Sequence, residues 1–256
     1  MTETGAGTLA RICRYPVKGL SVDDLARVTL RPDAALPGDR RFAIARGTAR
    51  LDPVAPGWAS KDNFVQLVRT ERLAQIEAAF DSDSGELVIK RKGRPVARGI
   101  ITQPTGRTVI EQFLAAFLAE DLKHTPKLID AGDMALTDVS APRVSILNLA
   151  SVRDLARVTG SEVDPVRFRA NLLLDGLAPW VERAWIGKSL DIGPVRLEVT
   201  DPIERCAATT VNPDTAARDL NIPKLLQRGY GDVHMGVYAR VQTGGEVAVG
   251  ARVAAP

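Results

Sequence analysis

Most of the chain alternates between apolar and polar residues with the period of β-strands. Such stretches include "TLARICRYPVKGL" near the start and "SLDIGPVRLEVTD" and "GVYARVQTGGEVAVGARV" near the end, with Gly, Pro, Asn and Asp between them. We predict a first strand that ends at Pro16 and two more strands around the Pro/Gly turn of "ARVTLRPDAALPGDRRFAIARG". Further strands are predicted in "RANLLLDG" and in the two C-terminal stretches.

Helical spacing is confined to a few segments. In "RTVIEQFLAAFLAEDL" it is carried by Val109, Ile110, Phe113, Leu114 and Phe117. The segment "NLASVRDLARVTG" predicts a second amphipathic helix that stops at Gly160, and "TAARDLNIPKLLQRGYG" predicts a short one. The segment "ERLAQIEAAF" fits a helix, but "DSDSG" followed by "ELVIKR" is typical of a hairpin turn and its second strand.

These elements predict a β-rich α+β protein, with a β-barrel or curled-sheet core and peripheral helices. The chain divides into two parts near residues 95–120. There is no βαβ series, no GxGxxG and no GxxxxGK[ST], so neither common nucleotide-phosphate loop is expected.

Composition narrows the class of protein. The 256 residues are 45% hydrophobic, enough for one large or two small globular domains. No apolar run reaches the ~18 residues of a membrane span, and the start does not resemble a signal peptide, so we expect a soluble cytoplasmic protein without a membrane partner. Nucleic-acid binding is not expected, because the net charge is only +3, aromatic residues make up 5%, and the single dense basic patch, "KRKGRPVAR", fits a solvated turn.

The two cysteines raise the main chemical question. Cys13 and Cys206 are too few for a disulfide framework, and with His124 and His234 they are too dispersed for a structural zinc site. Cys13 lies within the first strand and is expected in the core. Cys206 stands where a strand gives way to a polar turn, and three interpretations are open for it: core packing, a nucleophile with His234 as base, or a thiolate ligand to a metal in an anionic cofactor.

The third interpretation predicts nearby hydrogen-bond donors for a phosphate and a heterocycle. Suitable donors are Lys18, Arg40, Arg169, Asn171, Thr209, Thr210 and Asn212. Each alone is typical of a surface charge or a turn. Together they form a donor set with no obvious acidic counterpart nearby in sequence.

Five motifs in order then resemble a known family. They are "ICRYPVKGL", "LPGDRRFAIAR", "VDPVRFRANLLLDG", "WIGKSLDIGPVRLEVTDPIERCAATTVNPDT" and "HMGVYARVQTGGEVAVGARV". The series resembles the MOSC domain family, the domains related to the C-terminal part of molybdenum cofactor sulfurases, and most of all its amidoxime-reducing type. The likeness extends over nearly the whole chain.

The resemblance implies a MOSC-type β-barrel core (residues 101–256) joined to an N-terminal β-barrel-like domain (residues 7–100). It implies a molybdenum–molybdopterin cofactor (Moco) with Cys206 as a direct metal ligand and the catalytic residue. It assigns cofactor binding to Lys18, Arg40, Ser140, Arg169, Asn171, Thr209, Thr210 and Asn212.

Four positions depart from the family pattern. Gly19 replaces a frequent serine and Val139 a threonine, which puts the donor count and the substrate preference in question. Ala170 stands where proline is usual, and Ala251 replaces an aspartate at a turn.

The resemblance further implies an oxidoreductase that reduces small N-hydroxylated compounds. Some relatives carry an appended iron–sulfur domain with four cysteines, and no such cluster follows here. We therefore expect a separate electron donor, ferredoxin-like or cytochrome-b5-like, with its own reductase. The alternative is a carrier of the cofactor or of sulfur that does not turn over small molecules.

Overall fold

The computed structural model describes residues 6–49, 51–52 and 56–256. Its strands are β1 (Ala6–Arg14), β2 (Val17–Lys18), β3 (Asp23–Leu25), β4 (Arg27–Leu30), β5 (Phe42–Ala45), β6 (Glu77–Phe80), β7 (Glu86–Arg91), β8 (Arg94–Ile100), β9 (Lys127–Asp130), β10 (Val144–Asn148), β11 (Leu172–Asp175), β12 (Ser189–Ile192), β13 (Val195–Glu204), β14 (His234–Thr243), β15 (Gly245–Ala248) and β16 (Arg252–Ala254). The α-helices are α1 (Pro104–Phe117), α2 (Leu149–Thr159) and α3 (Ile222–Tyr230). Short 3-10 helices lie at Lys61–Asn63, Glu71–Gln75, Pro165–Phe168, Val181–Trp185 and Ala207–Thr210.

Seven strands close into a barrel in the order β11-β10-β14-β13-β12-β16-β1, and β1 pairs back with β11. Only the β10–β11 pair in the barrel is parallel. The predicted β-rich barrel with peripheral helices is therefore confirmed. The first strand of the chain is a member of this barrel, since β1 pairs with both β11 and β16. The division into residues 7–100 and 101–256 stays a prediction.

The barrel interior is filled by the apolar residues of the alternating strands. Leu9 and Ile12 of β1 and Leu190 and Ile192 of β12 are all fully buried there. Period-two alternation sends Leu190 and Ile192 inward and their polar neighbours outward. Leu9 and Ile12 are three residues apart and share the inward face because the pairing of β1 shifts register between Leu9 and Arg11. The apolar positions of the sequence thus determine which face of each strand points into the barrel.

A second core lies outside the barrel. It joins the β2-β5-β9 sheet, the β6-β7-β8 sheet and α1. The ambiguous segment contributes to it in two forms, because residues 71–75 make a 3-10 helix and residues 77–80 make a strand that pairs with β7. The predicted hairpin is therefore confirmed, and the helical interpretation is wrong beyond residue 75.

The other two α-helices pack on a third core, which also contains Cys13. Asn148 caps the first turn of α2, and Gly160 ends that helix in the left-handed conformation (φ 65°), as predicted. The longest described helix, α1, has 14 residues, and none of the described helices is long and apolar enough to cross a membrane.

Candidate functional site

Cys206 lies at the open end of the barrel, just after β13. The β13–β14 pairing has register shifts between Val199 and Asp201 and between Pro202 and Glu204, and such bulges re-aim the residues that follow. After the strand, the hydroxyl groups of Thr209 and Thr210 donate to the carbonyls of Cys206 (2.9 Å) and Ala207 (2.7 Å). These local bonds favour a short turn over a continued strand. The thiol of Cys206 is exposed and forms no disulfide.

The thiol faces a cleft of about 530 Å³. Six of the predicted residues line this cleft: Lys18, Arg40, Arg169, Asn171, Cys206 and Thr209. They come from separate parts of the chain, which the barrel closure and the neighbouring sheets bring to one place. Lys18 and Arg40 therefore lie on the same cleft as the Cys206 sulfur.

Three predicted residues do not line the cleft. Ser140 is exposed, while its neighbours Val139 and Ala141 do line it. Thr210 is buried beneath the turn. The Asn212 side chain donates to Asp219 and accepts from two backbone amides of its own turn. Their assignment to cofactor binding stays a prediction, and these contacts give Thr210 and Asn212 a role in shaping the turn.

Lys18 is buried at the floor of the cleft and already has an acidic partner. Its Nζ donates to Asp138 (2.6 Å) and to the Leu136 carbonyl (2.8 Å). Burial lowers the pKa of Lys18, and the Asp138 charge opposes that shift. Burial also acts on Asp138, but the nearby ammonium outweighs it and holds the pKa of this carboxyl below its ordinary value. The expectation of no obvious acidic counterpart nearby in sequence holds for Lys18, whose partner is distant, but not for Arg40, which pairs with its neighbour Asp39.

Arg40 and Arg169 both stack on the ring of Tyr15, with guanidinium-to-centroid distances of 4.6 and 4.2 Å. Both have left-handed backbones (φ 47° and 50°), and Arg40 donates to the Arg169 carbonyl at 2.7 Å. Arg40 also donates to the buried carboxylate of Asp39. Arg169 reaches the Leu20 carbonyl through Nη1 (2.8 Å) and has no carboxylate partner among the described residues. Burial, together with the charge of Arg40, lowers the pKa of Arg169 to about 10.

Arg205, directly before the cysteine, is a third buried guanidinium on the cleft wall. It donates to the carbonyls of Met235 (2.7 Å) and Phe168 (2.8 Å). Burial lowers its pKa to about 10. Gly236 (φ 75°) makes room for it, since a Cβ there would lie 3.1 Å from the Arg205 Nη2. The sequence signal for Arg205 was its place beside Cys206, but it was not assigned to the site.

Arg167 and Tyr238 also line the cleft and were not predicted. The Nη2 of Arg167 donates to both carboxylate oxygens of Asp219 (2.7 and 2.8 Å). It belongs to the same "RFRAN" motif as Arg169, which could have indicated it. Tyr238 stands on β14, in register with Asp201, and an alternating strand alone does not distinguish it from a surface tyrosine.

Asn171 is buried and holds strands together. Its Oδ1 accepts from the amide (3.1 Å) and hydroxyl (2.8 Å) of Ser145, and its Nδ2 donates to the Cys13 carbonyl (3.1 Å). One amide N–H is left for any other partner.

The buried donors show what kind of group the cleft fits. The Nη2 atoms of Arg169 and Arg205 and the Tyr15 hydroxyl are buried and have no hydrogen-bond partner within the described part of the chain. Buried donors are almost always paired in folded proteins, and an unpaired one calls for an explanation. Because both arginines line the cleft, an anionic group with several acceptor oxygens fits it, and a phosphate-bearing cofactor is such a group.

His234, the base in the interpretation of Cys206 as a nucleophile, does not line the cleft. His234 starts β14, and its Nδ1 lies 3.7 Å from Asp232. Among the described residues, no three His, Cys, Asp or Glu side chains are grouped so that they could hold a metal ion. Cys13 is buried, and its burial raises the pKa of the thiol to about 12, which confirms its place in the core.

The fold and the site define a β-barrel protein with a cation-lined cleft that carries an exposed thiol. Residues 134–254, just under half of the chain, match the model of the MOSC domain.

Curated relatives point the same way. A molybdenum cofactor sulfurase of Caenorhabditis briggsae is 31% identical over 126 residues, which are 48% of this chain and 18% of that protein. The mitochondrial amidoxime-reducing component 1 of Mus musculus is 32% identical over 85 residues, 33% of this chain and 24% of that protein. The chain thus spans less than a quarter of the length of these relatives.

Solved structures add only weak likenesses. The YuaD protein from Bacillus subtilis matches with a TM-score of 0.48 at 11% identity, covering 99% of this chain and 97% of that one. YiiM from Escherichia coli matches with a TM-score of 0.33 at 22% identity over 43% of this chain and 52% of that one. Both TM-scores are too low to support a conclusion about function.

Proposed function

We propose that the protein is a molybdenum-cofactor-dependent oxidoreductase that reduces N-hydroxylated compounds, such as amidoximes and N-hydroxylated bases. The match of residues 134–254 to the MOSC domain supports a molybdenum-cofactor role, and the name of the mouse relative supports this type of substrate. The observation that carries the proposal is the pair of buried Nη2 atoms, of Arg169 and Arg205, that have no hydrogen-bond partner among the described residues and belong to side chains on the cleft that also exposes Cys206.

Each group of residues would have a distinct task. Lys18, Arg40, Arg169 and Arg205 offset the charge of the anionic cofactor, and the two unpartnered Nη2 atoms supply its hydrogen bonds. Charge-assisted hydrogen bonds of this kind contribute about 1.5–3 kcal/mol each, so a few of them could hold a cofactor without a covalent link. Cys206 would ligate the metal through its sulfur, because a thiolate is a soft ligand and suits metals that prefer soft ligands.

When bound, the cofactor supplies the two-electron redox chemistry that no side chain of the chain provides. Reduction of the N–O bond consumes two electrons and two protons and releases water. The cleft walls would orient the substrate beside the Cys206 thiol. The electrons come, in this proposal, from a separate ferredoxin-like or cytochrome-b5-like protein with its own reductase, and the net charge of +3 suits an acidic donor.

The test is to produce the protein in a host that makes the cofactor, with molybdate, and to measure molybdenum, pterin and benzamidoxime reduction by chemically reduced protein. We expect both components to co-purify, and turnover to vanish in Cys206→Ser but persist in Cys13→Ser. Absence of molybdenum and pterin from such a host would contradict the proposal.

A carrier of the cofactor or of sulfur is the second candidate. Two relatives are named as molybdenum cofactor sulfurases, and Cys206 is exposed enough to hold a persulfide. A molybdenum-loaded sample without any turnover would favour this carrier over the reductase.

A further inference from the structure

Arg218 reaches across one edge of the cleft and contacts both of its walls. It lies between the 3-10 turn at 207–210 and α3. Its Nη1 donates to the Thr210 hydroxyl (3.0 Å) and, more weakly, to the Ala207 carbonyl (3.4 Å). Its Nη2 donates to the Val68 carbonyl (2.9 Å) and to Glu71 (3.0 Å), with a longer contact to the carbonyl of residue 67 at 3.3 Å.

The two segments joined by this side chain both contribute to the cleft lining. Gln66 and Leu67 come from one segment, and Cys206, Ala208 and Thr209 come from the other. Within the described part of the chain, every hydrogen bond between residues 61–80 and residues 200–220 comes from the Arg218 guanidinium. The segments are about 150 positions apart in sequence, as the separation of 151 between Arg218 and Leu67 shows, so no local turn holds them together.

The backbone around Arg218 is itself fixed. Val211 forms a β-bridge with Arg218, and the Asn212 amide donates to the Ala217 carbonyl at 2.8 Å. The Asn212 side chain accepts from the amides of Asp214 and Thr215 and closes the turn between them. The guanidinium is planar and presents its donors in a fixed fork, so one prong can serve each wall, which a lysine ammonium on a flexible stem does not reproduce.

We propose that Arg218 is a positioning residue that fixes the Cys206 turn against the 66–71 segment and so sets the width of the cleft. Neither the thiol nor the cationic floor contacts it, so it acts through the turn that follows Cys206. This inference rests on the proposed function only for the identity of the group that the cleft holds. The contacts of Arg218 are made by the protein alone, without a cofactor.

The test is hydrogen–deuterium exchange of the cofactor-free protein, read for peptides that cover 66–71 and 207–211. In these segments the amides of Thr70 and Thr209 are hydrogen-bonded to the carbonyls of Gln66 (2.9 Å) and Cys206 (3.1 Å). We expect Arg218→Ala to speed exchange by about tenfold in both segments together, while the midpoint of global unfolding changes little. The matched control is Arg153→Ala, which removes an exposed arginine that pairs with Asp175 (2.5 Å) outside the cleft, and it should alter neither segment.

Arg218→Lys, the milder change, keeps the charge opposite Glu71 but not the fork, and faster exchange in both segments is expected for it as well. Faster exchange on one wall only, or unchanged exchange in both variants, would overturn the proposal. So would full protection in Arg218→Lys, since charge alone would then suffice. Because no cofactor is present, these outcomes are readable whether or not the protein binds molybdenum.

Discussion

Replacing Arg169 by methionine tests whether the cationic floor of the cleft exists to bind an anion. In the cofactor-free protein the Arg169 guanidinium is buried, has one hydrogen bond through Nη1 and one ring contact with Tyr15, and leaves Nη2 without a partner. Methionine keeps an unbranched stem and removes the charge. A residue that serves only the fold should be needed for stability without any ligand, and a residue that serves an anion should not.

The magnitude follows from the pKa. Burial lowers the pKa of Arg169 from its ordinary value to about 10, so the folded state disfavours the charge by about 3 kcal/mol. A lowered pKa means that the unfolded chain holds the proton more tightly, so at neutral pH this group works against folding, and its penalty is relieved only as the pH rises above about 10. The lost hydrogen bond and ring contact together are worth about 1–3 kcal/mol. The two terms nearly cancel, and the free energy of unfolding of the cofactor-free protein should change by less than about 2 kcal/mol.

The assay is denaturant unfolding of wild type and Arg169→Met, each with and without inorganic pyrophosphate. Pyrophosphate should stabilise the wild type, by about 2.7 kcal/mol at a hundredfold excess over its dissociation constant. We expect most of that gain to be lost in Arg169→Met and kept in Arg153→Met, which changes an exposed arginine. Equal stabilisation of Arg169→Met and wild type, or a loss of more than about 4 kcal/mol in its absence, would refute the reasoning.

Three further predictions follow from single positions. In the native cofactor-free protein a thiol reagent should titrate Cys206 alone, because burial raises the pKa of Cys13 to about 12, and immediate reaction of both thiols would contradict this burial. Gly236→Ala should lower the free energy of unfolding by about 2 kcal/mol or more, because φ at this position is 75° and an added Cβ would lie 2.5 Å from a backbone carbonyl oxygen of β10. Thermal unfolding that gives a free energy within about 0.5 kcal/mol of wild type would be inconsistent with that crowding. The Asp138 carboxylate, whose pKa is held below its ordinary value, stabilises the fold at neutral pH, and this contribution is lost as the pH falls through the folded pKa; Asp138→Asn should therefore flatten the acid side of the stability curve, and an unchanged slope between about pH 5 and about pH 3 would count against the ion pair.

Much of the fold could be predicted because local patterns and tertiary packing agree. The spacing of Ile110, Leu114 and Phe117 places the buried face of α1 on the second core, and Gly160 stops α2 with the left-handed backbone that favours glycine. The alternation in β12 and β13 likewise matches their burial. Residues 71–80 fitted a helix, whereas the turn and strand signals that follow them indicated a hairpin. The pairing of β6 with β7 makes residues 77–80 a strand of that hairpin.

The features of the fold that the sequence could not indicate are those that depend on closure of the barrel. Nothing local shows that β1 pairs with β11 and β16, since these pairings join the start of the chain to its last third. The Lys18–Asp138 ion pair spans 120 positions, so this acidic partner could not be predicted from residues near Lys18, whereas the partner of Arg40, Asp39, lies directly beside it.

The predictions of site residues likewise succeed where a local motif suffices and fail where tertiary structure decides. Residues that follow directly from a motif, such as Lys18, Arg40 and Cys206, do line one cleft. Ser140 does not, because the loop presents the side chains on either side of it instead. The burial of Arg205 is a tertiary property that its place beside the cysteine did not reveal.

The most direct test of the central claim is anomalous diffraction at the molybdenum absorption edge from crystals of protein purified with molybdate. The account predicts one strong peak beside the Cys206 sulfur, within the cleft that Lys18 and Arg40 line, and no such peak in Cys206→Ser. A metal-loaded protein whose peak lies away from that sulfur would contradict it.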